Sequence, residues 1–130
     1  MPRTFTLEEA TALLPRLRAI LLEMQDKKPA LDALREELVE LARTARGNGH
    51  LAGRELATKR KEAEALVERL NELHGEINEL GCELKGVEEG LIDFRAERDG
   101  RTVYLCWKLG EAEIGYWHDL DSGFAGREPL

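Results

Sequence analysis

Ala63-Glu-Ala-Leu-Val-Glu-Arg-Leu-Asn-Glu-Leu-His-Gly-Glu-Ile-Asn-Glu-Leu-Gly81 is the stretch on which the fold turns. Its apolar residues Ala63, Leu66, Leu70, Leu73, Ile77 and Leu80 stand 3, 4, 3, 4 and 3 residues apart. That alternation is the heptad period of a helix lying along a second helix. Leu56 extends the stripe upstream, and Gly81 is placed to cap the helix end. The partner is found on the other side of Gly47-Asn48-Gly49, a strong stop and turn signal. There Leu17, Leu21, Met24, Leu31, Leu34, Leu38, Leu41 and Ala45 form a second stripe, interrupted only at Lys28. Two stripes joined by a short turn predict an antiparallel helical hairpin, coiled-coil-like, with arms of roughly 45 Å.

Upstream, Thr6-Leu7-Glu8-Glu9 fits a capping box, in which the Thr6 hydroxyl accepts the Glu9 amide and the Glu9 carboxylate reaches back. A short first helix is expected over 7–13. Pro15 should break or kink it, and Pro29 should kink the arm that follows.

The chain changes character at Gly81. Phe5 is the only aromatic residue before it; Phe94, Tyr104, Trp107, Tyr116, Trp117 and Phe124 follow. The second part reads as a three-stranded antiparallel β-meander. Its strands are Leu91–Phe94, Thr102–Lys108 and Glu113–His118, with Asp99-Gly100 as a turn dipeptide. Alternation puts Val103, Leu105 and Trp107 on one face and Tyr104, Cys106 and Lys108 on the other. The tail from Asp119 to Leu130 has no periodicity. The predicted class is therefore α+β in a single domain, 1–130, with the hairpin over 1–81 and the β-rich segment over 82–130.

Composition narrows the function classes. The chain has 130 residues, 35% of them charged, and a net charge of −7. A general nucleic-acid binder needs a positive field, so nucleic acid is not an expected partner. No run approaches the ~20 apolar residues of a membrane span, and the start lacks the apolar stretch of a signal peptide. The expectation is a cytoplasmic protein with no membrane partner. Cys82 and Cys106 are too few for a disulfide framework and read as reduced thiols.

Several segments resemble a known family. Gly81-Cys-Glu-Leu-Lys85, Gly90-Leu-Ile-Asp-Phe94, Asp99-Gly-Arg-Thr-Val-Tyr-Leu-Cys-Trp-Lys-Leu-Gly-Glu111, Tyr116-Trp-His-Asp-Leu120 and Gly123-Phe-Ala-Gly-Arg-Glu-Pro-Leu130 do so, together with the opening Phe5-Thr-Leu-Glu-Glu-Ala-Thr-Ala-Leu-Leu-Pro15. They are similar to the uncharacterised bacterial family catalogued as domain of unknown function 2203. The resemblance spans nearly the whole chain. It implies a small bacterial cytoplasmic protein and carries over no activity, ligand or catalytic residue.

Candidate chemistry gathers in Tyr116-Trp-His-Asp-Leu-Asp121. His118 beside Asp119 and Asp121 could serve as a general base or metal ligand, and Cys106 one strand away could add a soft ligand. Adjacent strand residues point to opposite faces, however, and a His hydrogen-bonded to a loop carboxylate is the commoner arrangement. No close pairing of a structural zinc site appears among Cys82, Cys106, His118, Asp119 and Asp121, so neither metal nor other cofactor is expected and folding should not need one. Arg101 and Arg127, with Lys85, Arg95, Arg98 and Lys108, could hold an anion or pair with carboxylates across strands. Gly123–Arg127 could form a backbone nest. Lys59-Arg60-Lys61 lies among carboxylates and reads as an ion-paired face, with an adaptor role toward nucleic-acid machinery as the weakest option.

Two functions compete at this level. The leading one is a non-enzymatic interaction or scaffold protein forming a homodimer through its hairpin. Adjacent apolar pairs such as Leu38-Val39 and Leu66-Val67 make the stripe wider than one hairpin covers. The alternative is a binder of a small anionic molecule, or an enzyme, with its site among His118, Asp119, Asp121, Arg101, Tyr104 and Arg127.

Overall fold

A computed structural model describes residues 3–44 and 49–130 of the chain, with side chains from Gly53 onward in the second stretch. Two helices, α1 (Leu7–Thr44) and α2 (Gly49–Leu80), precede five strands. These are β1 (Glu83–Gly86), β2 (Leu91–Arg98), β3 (Arg101–Lys108), β4 (Tyr116–His118) and β5 (Glu128–Pro129), and a 3₁₀ turn over Phe124–Gly126 lies ahead of β5. The class is α+β with a long helical hairpin, as the two stripes predict. Of the expected turn at 47–49, residues 47 and 48 lie outside the described residues.

The capping box forms as read. The Thr6 amide donates to Glu9 Oε1 at 2.8 Å and the Glu9 amide to Thr6 Oγ1 at 3.1 Å. A separate short helix over 7–13 does not: α1 continues through Pro15 and Pro29. Each proline deletes one backbone bond, at a cost of about 3 kcal/mol. Around Pro15, Ala10, Leu14, Leu17, Ile20 and Leu21 are all buried. Each fully buried Leu or Ile contributes roughly 1.5–3 kcal/mol, so packing outweighs the missing bond. Pro29 is flanked in the same way by buried Met24, Leu31 and Leu34. Gly81, at φ 91°, ends α2 in the left-handed conformation that its place in the sequence suggests.

The chain divides into two compact units, residues 1–22 with 74–130, and residues 23–73. The second unit is hairpin throughout. Arg69 grips Glu23 with two bonds, Nε to Oε2 at 2.6 Å and Nη2 to Oε1 at 2.8 Å, and Lys59 bonds Glu37 at 2.8 Å. These pairings run in opposite sequence directions along the two helices, which is the antiparallel arrangement.

The first unit holds the sheet, whose strands follow in the order β1-β2-β3-β4-β5, each antiparallel to its neighbour. Five strands replace the expected three. β1 and β5 are four and two residues long, too short to show alternation, and β5 contains Pro129, which argues against a strand in sequence. The third expected strand, 113–118, shrinks to Tyr116–His118. The tail after Asp119, read as aperiodic, supplies the 3₁₀ turn and β5. The β2–β3 turn matches its dipeptide: Asp99 (φ 52°) and Gly100 (φ 78°) both have positive φ, as a type I′ hairpin turn demands.

The register sorts the two faces of the sheet. Ile92 pairs with Trp107, Phe94 with Leu105, Ala96 with Val103, and Leu105 with Trp117. All seven are buried and form the core face. Phe5 meets Phe94 edge-on at 5.4 Å, and its amide donates to the Arg95 carbonyl at 2.7 Å. The Trp107 indole N–H is satisfied by the Glu111 carbonyl at 3.0 Å. The opposite face carries Asp93, Arg95, Tyr104, Cys106, Tyr116 and His118.

The Glu23–Arg69 pair gives the hairpin a pH dependence. Hydrogen bonds from Arg69 and then Lys27 hold the Glu23 carboxyl down at about 2. A depressed carboxyl pKa stabilises the fold above its unfolded value near 4.5, and this contribution is lost as pH falls through the folded value. Urea midpoints of the wild type and Glu23→Gln should therefore differ near neutral pH and converge as pH approaches about 2. A gap that stays constant across that range would contradict the assignment.

Candidate functional site

The polar face of the sheet gathers three groups that are usually kept in water. Asp93 on β2, Cys106 on β3 and His118 on β4 are each no more than 3% exposed. Asp93 stands directly across from Cys106, and His118 directly across from Tyr104. Paired residues share a face, so three neighbouring strands present one cluster. Its ligand-type atoms, a carboxylate oxygen, Sγ and an imidazole nitrogen, all lie within 4.8 Å of one another.

Each group is tied down. The His118 Nδ1–H donates to the Asp119 carbonyl at 2.7 Å, which fixes the ring and turns Nε2 inward. Nε2 lies 3.0 Å from Asp93 Oδ2. The Cys106 Sγ lies within 4.8 Å of the same carboxyl and of the ring. Burial raises the Asp93 pKa, and the facing His118 opposes the rise. Burial, reinforced by the charge of Asp93, pushes the Cys106 thiol up to about 12. The nearby Arg127 opposes the rise without cancelling it, so Cys106 is an undissociated thiol and a poor nucleophile.

The cluster lines a cavity of about 350 Å³, together with Lys85, Leu91, Tyr104, Leu120, Asp121 and Phe124. Tyr104 donates its hydroxyl to Glu83 at 3.0 Å, and its ring lies 5.4 Å from that of His118. The Lys85 ammonium sits 4.9 Å over the Tyr104 ring and bonds Glu83 at 3.0 Å. Burial raises the Glu83 pKa, but bonds from Lys85 and Tyr104 and the charges of Lys85 and Arg95 lower it further, so this carboxyl stays ionised.

The structure brings together only part of the set read from sequence. His118, Tyr104 and Asp121 line the cavity. Asp119 contributes its carbonyl, while its exposed carboxylate pairs with exposed Arg101 at 2.7 Å, outside the cavity. Such a surface pair is worth ~1 kcal/mol or less. Arg127 bonds both oxygens of Glu111 at 3.1 and 3.0 Å and stacks on Tyr116 and Phe124 at 4.0 and 4.3 Å. It is a buttress of the tail, with its charge felt at Cys106. Asp93 is the member sequence reasoning missed, and its signal was present. A two-residue turn at 99 and 100 pairs residues whose numbers sum to 199, which sets Asp93 opposite Cys106. Cys82 belongs elsewhere: it is buried, donates to the Ile77 carbonyl at 3.6 Å, and burial raises it to about 11.

Comparison with known proteins places the chain. A family model described as "Uncharacterized conserved protein (DUF2203)" matches residues 3–130, and the chain belongs to this family. No curated protein and no solved structure matches it.

The cluster has an energetic signature. Removing one partner of a buried hydrogen-bonded pair leaves the other unsatisfied, at a cost of ~1–3 kcal/mol. His118→Ala and Asp93→Ala should each destabilise the protein on that scale, and the double variant by clearly less than the sum. A double-mutant cycle in urea measures this. Strict additivity would mean the two side chains do not act as a unit.

Proposed function

Starting from a family whose description assigns no activity, we propose that this protein is a bacterial cytoplasmic binder of a small polar ligand. The site is the cavity over Asp93, Cys106 and His118. One observation carries this reading: three buried polar groups on adjacent strands form the wall of an open cavity of about 350 Å³. Apolar side chains of similar volume in their place are often neutral or stabilising, so stability alone gives no reason for the cluster. The volume falls in the range of small-molecule sites, and apolar walls with a few convergent polar groups are their usual make-up. Lys85 supplies a cation at the wall for an anionic group, while Leu91, Leu120 and Phe124 supply apolar surface.

Native mass spectrometry of protein purified from a bacterial host tests it. A non-covalent small-molecule adduct is expected on the wild type. Leu120→Trp fills the cavity from its half-exposed rim, so it should lose the adduct with little change in melting temperature. A bare chain mass in every preparation would remove the reading.

A second reading, self-association through the hairpin, is supported by the unit formed by residues 23–73. Among the described residues its fully buried large apolar side chains are Met24, Leu31, Leu34 and Leu73, while Leu38, Leu56, Leu66, Val67 and Leu70 are only half-buried and Val39 is 70% exposed. A second copy packing as a four-helix bundle would bury that surplus. Light scattering at micromolar concentration should give twice the 14.7 kDa chain mass, and Leu38→Glu with Val67→Glu should return the monomer. A monomeric wild type would sink the dimer and leave the cavity reading untouched.

A further inference from the structure

We propose that Asp93, Cys106 and His118 form a three-ligand site for a divalent first-row transition ion of the zinc class, with its remaining coordination positions open to the cavity. The inference rests on the reading of this face as a binding site and specifies what the site holds first.

The geometry is that of a nearly assembled coordination sphere. Ligand atoms around a tetrahedral zinc-class ion, bound at about 2.0–2.3 Å, stand roughly 3.3–3.8 Å apart. The carboxylate oxygen, Sγ and ring nitrogen already lie within 4.8 Å of one another, and the Asp93 Oδ2–His118 Nε2 pair is closer than that spacing at 3.0 Å. The required spacing lies between these two values. The backbones are fixed, since the three residues sit on hydrogen-bonded neighbouring strands. Sites built on such elements hold their ligands more accurately than loops do.

The ring orientation is a second, independent observation. A metal-bound His donates its other N–H to a carbonyl or carboxylate, which sets tautomer and angle. In His118 the Nδ1–H goes to the Asp119 carbonyl at 2.7 Å, and Nε2 is the atom turned toward Asp93 and Cys106.

Donor chemistry selects the ion. A thiolate with an imidazole favours zinc, cobalt or iron over calcium and magnesium, which take oxygen ligands. Charge balance agrees: thiolate and carboxylate together carry two negative charges against two positive, so the occupied site is neutral where it is buried. Binding displaces the thiol proton and any proton held on Nε2, and both leave to solvent. Three protein ligands beside a cavity leave room for water or a ligand atom, the arrangement of open rather than structural sites. The groups satisfy one another without an ion, and among the described residues no buried side-chain polar atom lacks a partner. The fold therefore forms first and the ion enters a finished pocket.

Cobalt titration of the chelator-stripped full chain is the test. One Co²⁺ per chain is expected, with visible d–d bands and a near-ultraviolet sulfur-to-cobalt charge-transfer band. Cys106→Ser should keep the fold and lose the charge-transfer band. Asp93→Asn and His118→Gln should weaken binding at least tenfold. Zn²⁺ should compete for the site and raise the melting temperature, and Mg²⁺ should do neither. Absence of the band, or a band that survives Cys106→Ser and disappears in Cys82→Ser, would overturn the proposal. A metal-free protein that still carries a small-molecule adduct would refute the metal site alone; failure of both would remove the binding reading as well.

Discussion

The turn at Asp99 and Gly100 is the constraint on which the sheet depends. Two consecutive positive φ values are cheap for Asp-Gly and costly for most other pairs. Once that turn closes, every pairing between β2 and β3 follows, and with it the division of the sheet into two unlike faces. Side chains alternate with a period of two, so a slip of one residue would turn Phe94, Val103 and Trp107 outward and drive Asp93 and Cys106 into the apolar core. The penalty on both faces at once pins the register strongly. The apolar core and the polar cluster are thus two products of one local geometry.

Burial of the cluster is a separate matter. The outer face of a small antiparallel sheet ordinarily meets water, with polar residues hydrated. Here the segment after β4 passes over that face, bringing Leu120 and Phe124 beside the cavity. Arg127 secures this segment by clamping Glu111 and stacking on Tyr116 and Phe124. The Leu130 backbone N–H closes it by donating a hydrogen bond to the Gly115 carbonyl at 2.9 Å. Desolvation of Asp93 and His118 is therefore the work of twelve residues that look structureless in sequence.

What was legible in the sequence follows the strength of periodic signals. The heptads of α2, the capping box at Thr6, the Gly81 cap and the faces of β3 are all carried by local chemistry that needs no tertiary partner to be read. The prolines of α1 misled because local propensity favours a break, while the buried residues flanking Pro15 and Pro29 decide for continuity. β1 and β5 were invisible because a strand of two to four residues exists only through its neighbour's hydrogen bonds. At the site, His118 and Tyr104 stood out by residue type. Asp93 did not, because its partners are 13 and 25 residues away and only the register joins them. Arg101 and Asp119 were drawn in by proximity in sequence, yet their side chains meet each other at the surface.

The two outermost strands carry a consequence for the behaviour of the protein at high concentration. An exposed sheet border offers unpaired amides and carbonyls to any passing chain and is the usual starting point of strand-by-strand polymerisation. In this protein one border is the four-residue β1, whose pairing shifts between Leu84 and Gly86 and which carries Lys85. The other is the two-residue β5, where Pro129 has no amide to donate. Neither border is long, flat or complete enough to template a sixth strand. The sheet is thereby shielded from amyloid-like growth, although its aromatic and β-branched strands have the composition that favours it.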